Sequence, residues 1–194
     1  MKALFACSAQ RKVFPNNQVH DHSTNQPAVT PKAYGKSIKP ADLPDGAVRF
    51  FPIATTSEDG SPSGQGLPRD LLIPVVEGLL DQVKSIRDAV AETEIRMVGG
   101  SILVVYEAEW ERARVGLEIL KKNGSMQVDE DEDEEGEEED EESVGPPFVV
   151  RMIDFAHTKF VPGEGPDPGV LLGLDTTIRL FEGRIKQLLE AVDA

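Results

Sequence analysis

The strongest pattern in the chain lies between Pro68 and Ala91. Apolar residues recur there at three- and four-residue steps, through Leu71, Leu72, Val75, Val76, Leu79, Leu80, Val83, Ile86, Ala89 and Val90. That spacing predicts a long amphipathic helix, with Pro74 as an early boundary or kink. A second helical stripe, Leu171, Leu174, Ile178, Phe181, Ile185 and Leu189, predicts a final helix from Gly169 to Val192. Between the two helices the period changes. Ile95 to Tyr106 reads as two strands meeting at Gly99-Gly100, the second apolar enough to be buried on both faces. From Pro147 the run FVVRMIDFAHT is again β-rich and ends in a polar cluster, followed by a rigid loop, PGEGPDPG, at 162–169. Residues 108–122 are charged and weakly amphipathic, and read either as a helix or as a solvated excursion.

Other stretches carry little periodicity. Residues 1–30 are rich in Asn, Gln, His, Ser and Pro and read as an irregular N-terminus, with one short strand near Leu4 to Cys7. Residues 34–51 look like an extended piece and a short helix that ends in buried Phe50 and Phe51. Residues 54–67, rich in Gly, Ser and Pro, read as a linker; the SGQG within it follows no apolar strand and precedes no Lys-Ser/Thr, so it is not a phosphate loop. The fold class these elements give is α+β, with an antiparallel sheet and helices.

Composition changes this picture at one place. The 194 residues carry 35 acidic and 20 basic side chains, a net charge of −15. Residues 129–142 alone hold 13 of the acids, and the rest of the chain has 22 acidic against 20 basic residues. The low pI therefore belongs to an acidic low-complexity insertion, expected to be disordered over 123–146, and not to the folded surface. No basic face is available for duplex nucleic acid. Cys7 is the only cysteine, so a disulfide framework is excluded. No apolar run approaches the roughly 18–20 residues of a membrane span. The N-terminus turns polar too soon for a signal peptide, so a soluble intracellular protein is expected.

The sharpest candidate for chemistry is Arg151-Met-Ile-Asp-Phe-Ala-His-Thr158. An apolar strand delivers Asp154 at its C-terminal end, with Phe155 expected to pack underneath, as kinase-type sites present a metal-binding carboxylate. The plainer reading is an Asp that caps a turn. His157, three residues on, suits a donor to an anionic substrate or a proton relay, or a hydrogen-bonded loop residue. Ser101 follows a Gly-Gly pair, where a small hydroxyl beside bare backbone suits a metal or phosphate, or where the three residues form a tight hairpin. Lys32, Lys36 and Lys39 are a local concentration of lysine able to offset a polyanion, or a solvated strip. Asp167 reads as the N-cap of the last helix. His20 and His22 lack the further ligands a metal site needs and read as a polar loop.

Taken together and in order, YGKSI at 34–38, RMVGGSILVVYE at 96–107, RMIDFAHT at 151–158 and GPDPGVLLGLDTTIRLFEGRI at 165–185 resemble the inositol polyphosphate kinase family, most of all its fungal multikinase branch. The resemblance covers roughly residues 30–194 and implies a protein-kinase-related fold. It also implies ATP- and Mg2+-dependent phosphorylation of inositol phosphates, inositol trisphosphate and higher, in the nucleus and cytoplasm. Asp154 falls on the family's Mg2+-binding aspartate, and Ser101, Ile102 and Leu103 on a motif at the nucleotide and metal side. His157 falls beside substrate, and Lys36 on a basic residue near it. The IDFAHT form sets the chain apart from trisphosphate 3-kinases, and less sharply from hexakisphosphate kinases.

The chain also departs from that family. A PxxxDxKxG motif and the lobe that holds the adenine are not found in it, so residues 31–194 are expected to be a C-terminal lobe, truncated and weakly active or inactive by itself. The rival reading is a non-catalytic binding protein whose acidic run engages basic partners such as histones or transcription factors.

Overall fold

The computed structural model describes residues 2–8, 12–13, 18–123 and 145–190. The acidic run at 129–142, and with it residues 124–144 of the expected disordered insertion, lies outside the described residues. Ten strands and five α-helices follow in chain order. They are β1 (Lys2–Ser8), β2 (Lys12–Val13), β3 (Gln18–Asp21), β4 (Gln26–Val29), α1 (Lys32–Ser37), α2 (Leu43–Phe50), β5 (Thr55–Thr56), β6 (Pro62–Ser63), α3 (Arg69–Ala91), β7 (Ile95–Met97), β8 (Ser101–Glu107), α4 (Trp110–Asn123), β9 (Phe148–Ile153), β10 (Thr158–Phe160) and α5 (Pro168–Glu190). The α+β class holds. The main sheet is antiparallel with the order β4-β3-β1-β8-β9, β2 pairing beside β1, and β7–β10 and β5–β6 form two small sheets.

The periodicity of α3 is realised over 23 residues, with Leu72, Val75, Val76, Leu79 and Val83 fully buried. Pro74 does not end the helix. It withholds one N–H near the N-terminal end, and Asp70, the residue whose carbonyl loses that donor, is exposed to water. α5 also forms as expected, but its buried stripe is rotated: Leu174, Thr177, Phe181, Arg184 and Leu188 face the core while Leu189 is half exposed. α4 resolves the ambiguity over 108–122 in favour of a helix. The Glu109 carboxylate accepts from the backbone N–H groups of Glu111 and Arg112, which satisfies two donors of its first turn.

β8 alternates instead of being buried on both faces. Ile102, Val104 and Tyr106 enter the core with α3 and α5, while Ser101, Leu103, Val105 and Glu107 are only half covered. Tyr106 is fully buried; its hydroxyl donates to the Phe50 carbonyl at 2.8 Å, and burial pushes its pKa up. Arg184 is 7% exposed and donates to the Phe51 carbonyl through Nε (3.1 Å) and Nη2 (2.7 Å). The buried end of α2 that the sequence suggests is thus held by groups from β8 and α5.

Two stretches differ from their expectation. Residues 1–30 contain four strands, and β1 pairs with β8 along its whole length, from Lys2↔Glu107 to Ser8↔Ser101. Residues 54–67 form a packed excursion and not a free linker. They hold the β5–β6 hairpin, and Leu67 is fully buried and bridges to Ile53. Gly66 has φ +88°, and a Cβ there would stand 2.2 Å from the Pro52 carbonyl oxygen, so only glycine fits. Its own carbonyl accepts from Trp110 Nε1 at 3.1 Å and lies 2.9 Å from His22 Nε2.

His20 is buried on β3, its ring edge-on to His22 at 4.8 Å. Burial and the neighbouring His22 hold its pKa below the ordinary 6.5, against the weaker pull of Asp21 and Glu107. A histidine kept neutral by the fold stabilises fully above 6.5 and loses that contribution as pH falls below it. Unfolding midpoints followed from about pH 8 to about pH 5 should fall in wild type and fall less in His20→Gln. An equal fall in the variant would assign the acid sensitivity elsewhere. A second test concerns Gly78, where a Cβ would sit 2.0 Å from Cζ of the buried Phe148 ring. Gly78→Ala should cost about 1–3 kcal/mol in urea unfolding, despite the better helix propensity of alanine.

Candidate active site

The candidate site forms where the N-terminal end of β8 meets the C-terminal end of β9. The register pairs Ser101 with Ile153, so Asp154 lies one residue beyond a direct neighbour of Ser101. At Asp154 the strand stops abruptly. Its backbone takes the left-handed conformation, φ 68° and ψ 49°, and a short 3-10 turn, Phe155–His157, leads into β10. Asn25 is the only other non-glycine residue with positive φ among the described residues. For an L-residue this conformation is unfavourable, though Asp tolerates it better than most. The Asp154 side chain is exposed and has no hydrogen bond or ion pair among the described residues.

The Gly-Gly pair does not make a hairpin. β7 pairs with β10, and β8 with β1 and β9, so Gly99 and Gly100 carry the chain from one sheet to another. Gly99 has φ +78°, and a Cβ on Gly100 would stand 2.0 Å from Met97 Sδ. The crossing brings residues 97–101 against the turn after Asp154: Val98 N–H donates to the His157 carbonyl at 3.1 Å. His157 itself is exposed.

Opposite residues of an antiparallel pair share a face. Ser101, Leu103 and Val105 therefore lie on one side of the sheet with Ile153, Arg151 and Val149. Apart from the exposed Arg151, these side chains are half covered, which gives a partly apolar surface leading up to Asp154. Ile102 points the other way, into the core at 6% exposure. Phe155 does not pack under Asp154 as the sequence suggests; it is 53% exposed, because β9 ends at Ile153 and the left-handed turn carries the ring outward. Lys36 and Lys32 lie on α1, of which only the backbone is described at these two positions, and Lys39 is exposed beyond it. No contact among the described residues brings Lys39 to Asp154.

The sequence did not single out Glu94 and Arg96, which hold the 161–167 loop. The Glu94 carboxylate accepts from Gly163 N–H (2.7 Å) and Gly165 N–H (3.1 Å), and these two bonds hold its pKa below the usual carboxylate range. Arg96 donates to the carbonyls of Gly165 (2.8 Å) and Glu164 (2.9 Å). The signal was the pair of glycines two residues apart; both have positive φ, which turns their N–H groups toward one acceptor. Asp167 caps α5 as expected, Oδ1 accepting from Gly169 and Val170, while Oδ2 accepts from Met97 N–H at 3.0 Å. Burial opposes its charge, yet these three N–H groups and nearby Arg96 leave its pKa lowered.

Among the described residues no three His, Cys, Asp or Glu side chains gather to hold a metal. A structural zinc site is therefore not what this arrangement offers. One exposed carboxylate suits a hard divalent cation, which keeps water and phosphate oxygens as most of its ligands.

The family model for inositol polyphosphate kinase matches residues 15–182. Among solved structures, the inositol phosphate multikinase of S. cerevisiae, in complex with ADP and Mn2+, superposes with a TM-score of 0.56 at 20% identity, over 84% of this chain and 54% of that one. An inositol phosphate multikinase from a structural and protein-engineering study gives 0.57 at 14% identity, over 94% and 79%. Both likenesses are likenesses of fold. No curated protein sequence matches the chain. It spans about half the length of the yeast multikinase. With the match running from before β3 to well within α5, this chain belongs to the inositol polyphosphate kinase family.

Proposed function

We propose that this chain carries the metal-binding side of a kinase site that transfers the γ-phosphoryl group of ATP to a hydroxyl of an inositol phosphate. The observation that carries the proposal is Asp154, an exposed carboxylate in a left-handed turn, beside the residue paired with Ser101. Backbone strain held by surrounding structure is common where a side chain must be aimed. The ADP and Mn2+ in the yeast multikinase structure support a nucleotide and a divalent metal here.

Asp154 would hold Mg2+, with the Ser101 hydroxyl beside it. When bound, the ion would neutralise charge on the transferring phosphoryl group. The half-covered face of Leu103, Val105 and Ile153 offers apolar contact to the nucleotide. His157 and Lys36 are the donors proposed for the substrate phosphates. Outside the acidic run the chain has 22 acidic against 20 basic residues, so a polyanion meets little net repulsion.

Asp154→Asn keeps the shape and tolerates the left-handed backbone, but loses the charge a metal needs. It should leave the unfolding midpoint within a degree or so, and Asp154→Gly should raise it by removing strain worth about 1 kcal/mol. With Mg2+-ATP and inositol trisphosphate, both variants should turn over at least about 100-fold more slowly than wild type. A near-normal rate in Asp154→Asn would remove the metal-ligand role. A wild-type protein that binds neither Mg2+-ATP nor any inositol phosphate in calorimetry would end the kinase proposal. Turnover of hexakisphosphate alone would move the chain to that branch of the family.

A further inference from the structure

We propose that Asp167 is a positioning residue, whose carboxylate ties the start of α5 to the end of β7 and so sets the Ser101 and Asp154 turns against one another. The inference rests on the kinase reading of the site, but its structural half is independent of it.

β7 is a three-residue strand with two edges. One pairs with β10, from Thr158↔Met97 to Phe160↔Ile95. On the other side, the Met97 N–H leaves this ladder and donates to Asp167 Oδ2 at 3.0 Å. The same carboxylate, through Oδ1, accepts from Gly169 (2.8 Å) and Val170 (3.2 Å) at the first turn of α5. One side chain thus joins a short strand to a 23-residue helix whose Val170 and Leu174 are in the core.

The residues after Met97 make that joint matter. The next N–H, of Val98, donates to the His157 carbonyl, three residues after Asp154. Gly100 is so close to the Met97 side chain that no Cβ fits, and Ser101 then enters the sheet opposite Ile153. Within five residues the chain touches the helix, the turn after Asp154 and the strand that carries Ser101. A displacement of Met97 therefore has little slack to absorb it before it reaches both sides of the site.

Asn is as good an N-cap as Asp but has one acceptor oxygen in place of two. In Asp167→Asn the oxygen can serve α5, which turns the amide N–H2 toward the Met97 N–H, donor against donor. The comparison variant is Glu94→Gln, which weakens the hold on Gly163 and Gly165 in the same loop but leaves the Met97 bond intact.

Two measurements on the intact protein test this. In hydrogen exchange, Asp167→Asn should speed exchange of the Val98 amide about tenfold or more, whereas Glu94→Gln should act on Gly163 and Gly165 and spare Val98. In the assay with Mg2+-ATP and inositol trisphosphate, Asp167→Asn should lower kcat about tenfold or more with KM for ATP little changed, and Glu94→Gln should lower it much less. Unchanged Val98 exchange, or equal kcat losses in the two variants, would overturn the positioning role. Faster Val98 exchange in a protein that binds neither Mg2+-ATP nor inositol trisphosphate in calorimetry would instead keep the joint and overturn the kinase reading.

Discussion

Two backbone carbonyls, those of Phe50 and Phe51, anchor this fold. They close the C-terminal end of α2 in the interior, where an unmet acceptor costs about 1–3 kcal/mol. The Tyr106 hydroxyl meets the first and the Arg184 guanidinium the second. Burial of an arginine without a carboxylate partner is ordinarily unfavourable, and desolvation lowers its pKa here. The negative end of a helix offsets part of that cost. Around the two carbonyls the rings of Phe50, Phe51, Tyr106 and Phe181 meet edge to face or tilted, with centroids 4.7–5.6 Å apart. Helix α2, strand β8 and helix α5 thus converge on one point.

From that point rigidity passes along β8. Tyr106 fixes one end of the strand and Ser101 stands at the other, with β1 and β9 paired on its two sides. The candidate site lies where this rigid strand ends: the left-handed turn at Asp154, the glycine crossing and the strap at 161–167 all adjoin it. The cost of an unfavourable backbone at Asp154 is met by packing elsewhere in the molecule.

What could be read in the sequence was whatever depends on near neighbours. The three- and four-residue spacing of α3 and the cap at Asp167 are local, and both appear. α5 shows the limit. Apolar spacing placed Ile178, Ile185 and Leu189 on the buried stripe, but the stripe is turned so that Arg184 and Thr177 are inside, because Arg184 reaches a carbonyl 133 residues away in sequence. Before residue 30 only the short strand near Leu4 to Cys7, within β1, was legible; its full length was not, because β1 gains its partner β8 from far along the chain. Glu94 and Arg96 looked like ordinary surface charges; their partners are backbone groups of a loop that no pattern in β7 foretells.

The place of β1 in the sheet also bears on how the molecule comes into being. Its partner β8 lies about a hundred residues further along the chain, and β9 joins β8 from beyond α4 and the acidic run. Helix α3 and the β3–β4 hairpin need only neighbouring residues and can form early. The pairings on both sides of β8 must wait for two large loops to close, a cost paid before any contact rewards it. Ser101 faces Ile153 across the second of those pairings, and Asp154 follows directly. The site is therefore among the last parts of the molecule to exist during folding, and a chain that has collapsed around α3 and α5 without it would already be compact and still unable to act.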